Sequence, residues 1–210
     1  DVLRVVKSRS SRNRRIFRHL TLHSKIAITV TAVLIFFGAI LIFIFEYDNP
    51  STIGDLSFFD KIQVSFFQSI TTRTAGFASV PQENLTNASA AISILLMLIG
   101  GSPVGTAGGM KTVTIAVLVC SAFATIRNKN GATLFGRRIS EGSIKKAVAV
   151  VVMFITICAA SMILLMATND VSVIDAAYET VSATATVGLS RNLTATLNTF
   201  GKLIIIVTMY

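Results

Sequence analysis

The chain has 210 residues, of which 52% are hydrophobic and only 14% are charged, and its mean hydropathy is +0.71. A soluble domain of this size rarely carries so few charges, so the composition excludes an ordinary soluble fold and indicates an all-α integral membrane protein. The net charge of +9 is concentrated in two basic segments rather than spread over one surface.

The charges alternate along the chain in the pattern typical of a multi-pass membrane protein. Eight of the nineteen Lys and Arg residues lie in residues 1–25, and six more lie in residues 127–146. Most acids lie outside these two segments, five between them and three after the second: Glu46, Asp48, Asp55, Asp60, Glu83, Asp170, Asp175 and Glu179. The positive-inside rule therefore predicts that both basic segments lie on the cytoplasmic side of the lipid bilayer. Nucleic-acid binding is not expected, because the first basic segment offers only Phe17 as an aromatic platform and leads directly into a membrane span.

The first apolar segments form one long helix followed by one short helix. Ile26–Phe45 contains twenty uncharged residues, enough to cross a hydrocarbon layer of roughly 30 Å as a helix. After a polar turn, Phe58–Ile70 is apolar for only about a dozen residues, so it can enter a membrane without crossing it. The phrase TTRTAGF (71–77) follows, and then a polar loop leads to a second apolar helix, Ala88–Ile99.

The same order of segments then appears again. Ala147–Ala167 contains twenty-one uncharged residues and predicts another full span. Ile174–Ala183 is again too short to cross, and the phrase TATVGLS (184–190) follows it. Thr199–Tyr210 then starts a further helix. We therefore divide the chain into a basic cytoplasmic segment (1–25), one repeat (26–126), a cytoplasmic basic linker (127–146) and a second repeat that stops within its last helix (147–210).

Alignment of the two phrases on their glycines makes the repeat explicit, with a period near 112 residues. Phe66 aligns with Tyr178, ten residues before each glycine. An Asn-Leu-Thr follows each phrase, at 84–86 and 192–194, and we expect its Asn or Thr to cap the return helix. The aligned residues of the phrases are Thr74-Ala75-Gly76-Phe77 and Thr186-Val187-Gly188-Leu189.

The Thr-x-Gly phrases predict a cation filter. A re-entrant helix directs its C-terminus inward with a partial negative charge of roughly half an electron. The carbonyl groups of an extended Thr-x-Gly turn can replace the hydration shell of a potassium-sized ion, and Thr186-Val187-Gly188 matches the start of the TVGYG loop of potassium channels. The alternative is that Gly76 and Gly188 merely permit tight turns in extracellular loops. We expect Arg73 to point away from an ion path and to pair with an acid such as Asp60 or Glu83.

A glycine-rich stretch interrupts the apolar return helix between Ala88–Ile99 and Val113–Ile126. Glycine costs about 1 kcal/mol and proline about 3 kcal/mol in a helix interior, so the helix must break here. Such a break can serve as a gate beneath a filter, with Lys111 as a costly intramembrane cation; the alternative is helix packing through GxxxG-like spacing. The predicted gating loop comprises Gly100, Gly101, Ser102, Pro103, Gly105, Thr106, Gly108, Gly109 and Lys111.

Four motifs together resemble a known family: LTLHSKI, ITTRTAGF, GGSPVGTAGGMKT and SATATVGLS. They are similar to the Trk/Ktr/HKT superfamily of potassium transporters, most closely to the membrane subunit of bacterial Ktr potassium uptake systems. The resemblance covers nearly the whole chain and implies four membrane–pore–membrane repeats around one pore. This chain would then hold the tail of the second repeat, all of the third and most of the fourth, as a C-terminal half.

The resemblance also implies roles and partners. The backbone of Thr74–Phe77 and Thr186–Leu189 would form two quarters of a potassium filter, and Gly100–Lys111 would be an intramembrane gating loop. The usual loop of such proteins reads close to GGSPGSTAGGIKT, whereas Val104 and Gly105 stand here at its Gly-Ser positions, which leaves the gating behaviour open. The family further implies a homodimer of membrane subunits on a cytoplasmic ring of nucleotide-binding regulatory subunits.

These observations predict potassium uptake across the cytoplasmic (plasma) membrane through a multi-pass, channel-like transporter. The alternative is a coupled transporter such as a sodium–potassium symporter, with sodium as a second ion. An enzyme is not expected, since the only histidines, His19 and His23, lie in the basic segment and no cluster of catalytic groups occurs at membrane depth. The two cysteines, Cys120 and Cys158, are predicted to be small core residues without a metal or redox role.

Overall fold

A computed structural model describes residues 20–102, 107–128 and 131–210. Within these ranges the fold is almost entirely helical, with one two-stranded hairpin. The helices, in chain order, are α1 (Leu22–Glu46), α2 (Phe58–Thr71), α3 (Asn87–Leu98), α4 (Thr112–Ile126), α5 (Glu141–Thr168), α6 (Val173–Thr184), α7 (Leu193–Thr196) and α8 (Thr199–Thr208). A 3₁₀ turn covers Gln82–Asn84, and the strands are β1 (Thr133–Leu134) and β2 (Arg137–Arg138).

Helices α1 and α5 are the two long helices, with 25 and 28 residues, and each is apolar enough to cross a membrane. Both present a face of large apolar side chains that the rest of the chain does not cover. On α1 this face includes Val33, Phe36, Phe37, Ile40 and Ile44, and on α5 it includes Val152, Met153, Ile155, Ile163 and Leu164. Such continuous apolar exposure suits contact with lipid rather than water, and the two predicted full spans are confirmed as helices.

Helices α2 and α6 are short and begin in the same way. Ser57 and Ser172 are their N-caps, and each side chain accepts a hydrogen bond from the backbone N–H of the aspartate three residues later. Each serine hydroxyl also donates to that aspartate, Asp60 at 2.7 Å and Asp175 at 2.6 Å. These reciprocal caps fix both helix starts. At about 21 Å and 18 Å, the two helices are shorter than a hydrocarbon layer of roughly 30 Å.

The return helix of the first repeat breaks where the glycine-rich stretch predicted a break. Helix α3 ends at Leu98 and α4 begins at Thr112. Between them, Ile99 and Met110 form a parallel β-bridge, and the N–H of Met110 donates to the carbonyl oxygen of Leu98 at 3.0 Å. The two ends of the loop are therefore hydrogen-bonded to each other where α3 ends and α4 begins.

The capping prediction for the two Asn-Leu-Thr sequences is right for the first repeat and wrong for the second. Thr86 caps α3 by accepting from the N–H of Ser89 at 3.3 Å. In the second repeat Asn192 has a left-handed backbone, with φ of 65°, and the residues after it form the extra short helix α7. The return helix α8 is capped instead by Asn198, whose side chain accepts from the N–H of Gly201 at 2.7 Å.

The segment predicted as a basic linker contains regular structure. Strands β1 and β2 are joined by Phe135 and Gly136, whose φ values of 48° and 77° are those of a tight hairpin turn. Ala132 and Ile139, which flank the hairpin, are buried against α4 and α5. Helix α5 also begins at Glu141, before the predicted start of the span at 147. The helix therefore starts within residues 127–146, where a polar first turn precedes its uncharged core.

The two repeats meet through α3 and α6. Ala90 and Met97 on α3 belong to one buried cluster with Tyr178 and Val181 on α6, and Val187 and Leu189 of the second phrase belong to the same cluster. This core therefore lies directly behind the TATVGLS segment and joins it to the return helix of the first repeat.

Candidate functional site

The two Thr-x-Gly phrases have the same unusual backbone. Thr74 and Gly76 have φ values of 69° and 76°, and Thr186 and Gly188 have values of 52° and 90°. Positive φ is uncommon for any non-glycine residue and rare for a β-branched one, at a cost of about 1–3 kcal/mol each. Two threonines in equivalent positions carry this cost, so both phrases are held in a specific shape.

The two phrases lie against each other. A Cβ atom at Gly76 would overlap the carbonyl oxygen of Val187, so only glycine permits this approach. Around Gly188, by contrast, no described atom lies within 4 Å of the position of a Cβ. Gly188 is therefore required for its backbone conformation, whereas Gly76 is required for both conformation and space.

Most carbonyl oxygens of the phrases receive no hydrogen bond from the residues that the structure describes. This holds for residues 74–76 and 186–188. Phe77 differs, because the hydroxyl of Thr71 bonds both of its backbone groups. The hydroxyl donates to the carbonyl oxygen of Phe77 at 2.6 Å, and the N–H of Phe77 donates to the hydroxyl oxygen of Thr71 at 2.8 Å. Thr71 thus anchors the outer end of the first phrase and leaves the inner carbonyl groups free for another ligand.

The ends of the glycine-rich loop lie next to both phrases. A Cβ atom at Gly108 would overlap the hydroxyl of Thr186 and the carbonyl oxygen of Ala185. A Cβ atom at Gly101 would lie 3.8 Å from the hydroxyl oxygen of Thr74. The predicted loop and the predicted filter are therefore neighbours. The predictions for Pro103, Val104, Gly105 and Thr106 concern positions outside the described residues.

Lys111 lies where the loop rejoins the helix. It is the N-cap residue of α4, and its ammonium group donates to the carbonyl oxygen of Ala107. Gly109, just before it, has a φ of 67°. The lysine side chain therefore folds back onto the loop, where it satisfies a backbone carbonyl group instead of reaching an acid.

The prediction that Arg73 pairs with Asp60 or Glu83 is wrong. Its guanidinium donates to the carbonyl oxygen of Gly100 at 3.1 Å, and to the carbonyl and hydroxyl oxygens of Thr31 at 3.3 and 3.5 Å. Asp60 is engaged in capping α2. Arg73 points away from the phrase toward α1, as expected, but its partners are neutral and include the first residue of the glycine-rich loop.

Sequence reasoning missed a buried polar cluster behind the phrases. Gln68 on α2, Gln82 after the first phrase and Tyr178 on α6 are at most 2% exposed and are hydrogen-bonded to one another. The available signal was one glutamine in the apolar C-terminal half of α2 and another in the loop after the first phrase. Burial of amide groups costs free energy unless they are paired, so this cluster needs an explanation.

A second missed residue is Glu179, which is 4% exposed and accepts a hydrogen bond from the hydroxyl of Thr194. It lines a cavity of about 300 Å³ together with Ser182, Thr186, Gly188 and other residues of the second phrase. Among the described residues, no group of three or more His, Cys, Asp or Glu side chains could hold a metal ion. Cys158 is buried in the core behind the second phrase.

Comparison with known structures identifies the class of protein to which this fold belongs. The crystal structure of the potassium transporter TrkH from Vibrio parahaemolyticus matches 99% of this chain and 45% of its own, with a TM-score of 0.76 and 15% sequence identity. Over nearly its whole length, the chain therefore shares the fold of this structure.

The family follows from the sequence. The model of the family TrkH, cation transport protein, matches residues 10–210, so the chain belongs to this family. It is 39% identical to Ktr system potassium uptake protein B of Bacillus subtilis over 95% of this chain, and 38% identical to the protein of that name in Vibrio alginolyticus over 93%. It is 36% identical to the potassium/sodium uptake protein NtpJ of Enterococcus hirae over 92%.

The chain spans less than half the length of these curated relatives, covering 44%, 43% and 44% of them respectively. The relatives are cation transporters rather than enzymes, which agrees with the expectation for this chain. The predicted family and membrane location are confirmed by the family match, and α1 and α5 are each long and apolar enough to cross a membrane.

Proposed function

We propose that the protein takes up potassium ions across the cytoplasmic membrane through a carbonyl-lined filter, of which TTRTAGF and TATVGLS form two walls. The observation that carries this proposal is the equal backbone of the two phrases. The backbone is left-handed at four positions, Thr74, Gly76, Thr186 and Gly188. This conformation points successive carbonyl groups away from the directions they would have in a regular helix or strand. Free carbonyl groups in this number are the ligands that a dehydrated potassium ion needs.

Helix dipoles add to the attraction for a cation. Helices α2 and α6 end immediately before the two phrases, at Thr71 and Thr184. A helix C-terminus carries a partial negative charge of roughly half an electron, and each of these ends adjoins one of the two phrases. The carbonyl groups of Thr74, Gly76 and Val187 would then bind the ion in a region of negative potential.

The glycine-rich loop is proposed as the gate of this pathway. Its described ends contact both walls, through Gly101 beside Thr74 and through Gly108 beside Thr186. The bridge between Ile99 and Met110 closes its base, so movement of the loop needs no rearrangement of α3 or α4. Irregular backbone at membrane depth is tolerated where it lines a polar path, which suits this role.

The short helices α2 and α6 are proposed to be re-entrant pore helices, so that residues 26–126 and 147–210 are the third and fourth membrane–pore–membrane repeats of a longer pore. The printed names of the two Ktr relatives support potassium as the transported ion. Sodium appears in the name of the NtpJ relative. Sodium-coupled symport, the alternative from the sequence, is not favoured by these names.

Partners are proposed on the same basis. Two relatives are named as parts of Ktr systems, which supports an assembly with further components. We propose a homodimer of membrane subunits bound to a cytoplasmic ring of nucleotide-binding regulatory subunits. The β1–β2 hairpin carries Arg137 and Arg138, both exposed, and offers a rigid basic surface for such a contact.

The filter is tested by Gly188→Ala in the complete natural protein that contains this sequence. A Cβ atom at this position meets no described atom, so the fold should persist, but φ of 90° disfavours alanine by about 1–2 kcal/mol. We expect the backbone to relax and the ratio of potassium to sodium uptake to fall roughly tenfold. Uptake of each ion is measured in cells that lack their own potassium transport.

Gly136→Ala is the matched control. Gly136 has a φ of 77° and also has no described atom within 4 Å of a Cβ, but it lies in the cytoplasmic hairpin. The same backbone strain should leave the ion ratio unchanged there. Equal ratios for both variants and the unsubstituted protein would contradict the filter assignment.

A further inference from the structure

The strongest unexplained feature of the molecule is a buried hydrogen-bond bridge between the two repeats. The hydroxyl of Tyr178 donates to Oε1 of Gln82 at 2.9 Å. The same Oε1 accepts from Nε2 of Gln68 at 2.6 Å, and Nε2 of Gln82 donates to Oε1 of Gln68 at 3.2 Å and to the carbonyl oxygen of Val80 at 2.8 Å. Each of the three bridging side chains is fully or almost fully buried.

The position of each partner links the bridge to a filter wall. Gln68 lies in the last turn of α2, and Gln82 lies just after the TTRTAGF phrase, so this amide pair connects the two ends of the first wall. Tyr178 lies on α6 in the same buried cluster as Val187 and Leu189 of the second wall. The hydroxyl of Tyr178 is therefore a direct polar link between the supports of one wall and those of the other.

The bridge adds a directional constraint to the apolar packing of α3 against α6. A hydrogen bond weakens steeply when its angle departs from linearity, whereas apolar contacts have no preferred direction. The two walls approach so closely that a Cβ at Gly76 would overlap Val187. A small shift of one wall against the other would therefore change the spacing of the carbonyl groups on both.

The aligned position in the first repeat has no such hydroxyl. Phe66 stands where the second repeat has Tyr178, and its ring makes an edge contact with Phe36 at 5.5 Å between centroids. Phe66 therefore cannot form the equivalent of the Tyr178 hydrogen bond. A second contact crosses the same junction at the outer rim, where Arg191 donates to the carbonyl oxygens of Glu83 and Leu85.

We propose that Tyr178, with Gln82 and Gln68, is a positioning residue that sets the separation of the two walls and thereby determines selectivity between potassium and sodium. It acts through the backbone of the walls and does not touch the ion. The inference rests on the proposed function, because it assigns a role in the selectivity of that same site.

The test uses Tyr178→Phe and Gln82→Met in the complete protein. Tyr178→Phe removes one hydroxyl and leaves Oε1 of Gln82 its bond from Gln68, so the fold should persist. We expect the ratio of potassium to sodium uptake to fall roughly fivefold, the factor that corresponds to one neutral hydrogen bond. Gln82→Met removes the same link together with the bonds of Gln82 to Gln68 and Val80, so the ratio in the double variant should fall no further than in Gln82→Met alone.

Tyr47→Phe is the control, because it removes a hydroxyl from an exposed tyrosine at the outer end of α1 and keeps the ring contact with Lys61. Its ion ratio should equal that of the unsubstituted protein. The amount of protein in the membrane and its unfolding temperature are measured for every variant. A purely structural bridge would lower these two quantities without changing the ion ratio.

Two outcomes would overturn the inference and are distinct from each other. An unchanged ion ratio in Tyr178→Phe and Gln82→Met, with active potassium uptake, would overturn the positioning role alone. Absence of potassium uptake by the unsubstituted protein would overturn the proposed function and, with it, this inference.

Discussion

At the scale of single residues, the backbone of Thr74 and Thr186 carries the most information. Threonine is branched at Cβ and is unfavourable at positive φ, yet both phrases place it there. Strain of this kind persists only where the surroundings impose it, and it concentrates at functional sites. The closely packed Gly76 and Gly108 supply these surroundings, the first against Val187 and the second against Thr186.

Arg73 gives a prediction at this scale, since it ties the first residue of the glycine-rich loop to α1. Arg73→Gln removes its hydrogen bonds to Gly100 and Thr31. A hydrogen bond from a charged group contributes about 1.5–3 kcal/mol, so the loop should move more readily. We expect the initial rate of potassium uptake to rise roughly tenfold, measured with the amount of protein in the membrane held equal.

Two further variants distinguish the effect of the charge of Arg73 from that of its tether, the hydrogen bonds to Thr31 and Gly100. Arg73→Lys keeps the charge but has a single nitrogen, which cannot bond Thr31 and Gly100 as the guanidinium fork does, so it should raise uptake in part. Arg127→Gln removes an exposed cation at the end of α4 and should leave uptake unchanged. If Arg73→Gln slows uptake while Arg73→Lys restores it, the charge rather than the tether matters and the account is wrong.

The sequence predicts the residues of this site better than their partners. Glycine at 76 and 188 is visible because the two phrases align, and a repeated Thr-x-Gly has few other uses. The partners of Arg73 are the carbonyl group of Gly100 and Thr31. Because both are neutral, the pattern of charges in the sequence does not indicate them. The link between Gln82 and Tyr178 joins residues far apart in the chain, which local patterns do not predict.

At the scale of elements, helix length and capping account for the repeated order. Identical caps, Ser57 with Asp60 and Ser172 with Asp175, start α2 and α6, and each helix ends at its Thr-x-Gly phrase. Hydropathy was sufficient to predict long and short helices, because the spacing of charges sets where a helix can lie in lipid. It was not sufficient to predict α7, where the left-handed Asn192 starts a separate turn.

The glycine-rich loop provides the prediction at this scale. The bridge between Ile99 and Met110 closes its base, so deletion of residues within 101–109 should leave α3 and α4 in place. We expect a shortened loop to raise potassium flux without changing the ratio of potassium to sodium uptake. Flux and ion ratio are measured in the same cells, with protein in the membrane quantified.

The competing explanation for the loop is helix packing through its spaced glycines. If packing were its role, the shortened protein would fail to accumulate in the membrane or would unfold at a lower temperature. Gly142→Ala is a suitable control, because Gly142 lies at the start of α5 and has no described atom within 4 Å of a Cβ. It should change neither accumulation nor flux.

The hairpin marks the limit of element prediction. Residues 127–146 are rich in basic side chains, and this charge predicts a linker. Phe135 and Gly136 form a tight turn whose first residue is aromatic, so the usual Asn-Gly signal is missing. Ala132 and Ile139 fold onto α4 and α5 through apolar contacts that a short segment does not reveal by itself.

At the scale of the whole molecule, the fold is two related units that meet along α3 and α6 and place two filter-like phrases in contact. The order of the units follows from hydropathy and charge, and their family follows from the matched sequence. How the phrases pack depends on contacts between repeats, which the sequence of one repeat cannot determine. On the proposed function, this chain contributes two walls of a longer pore, and it spans less than half of its relatives.

The central claim is that potassium passes through a filter passively, and reconstitution tests it most directly. The complete protein in vesicles, with a potassium gradient and no sodium on either side, is predicted to conduct potassium at a rate that follows the applied membrane potential. Gly188→Ala should reduce the preference for potassium in the same vesicles. Potassium movement that appears only when a sodium gradient is supplied would contradict the account.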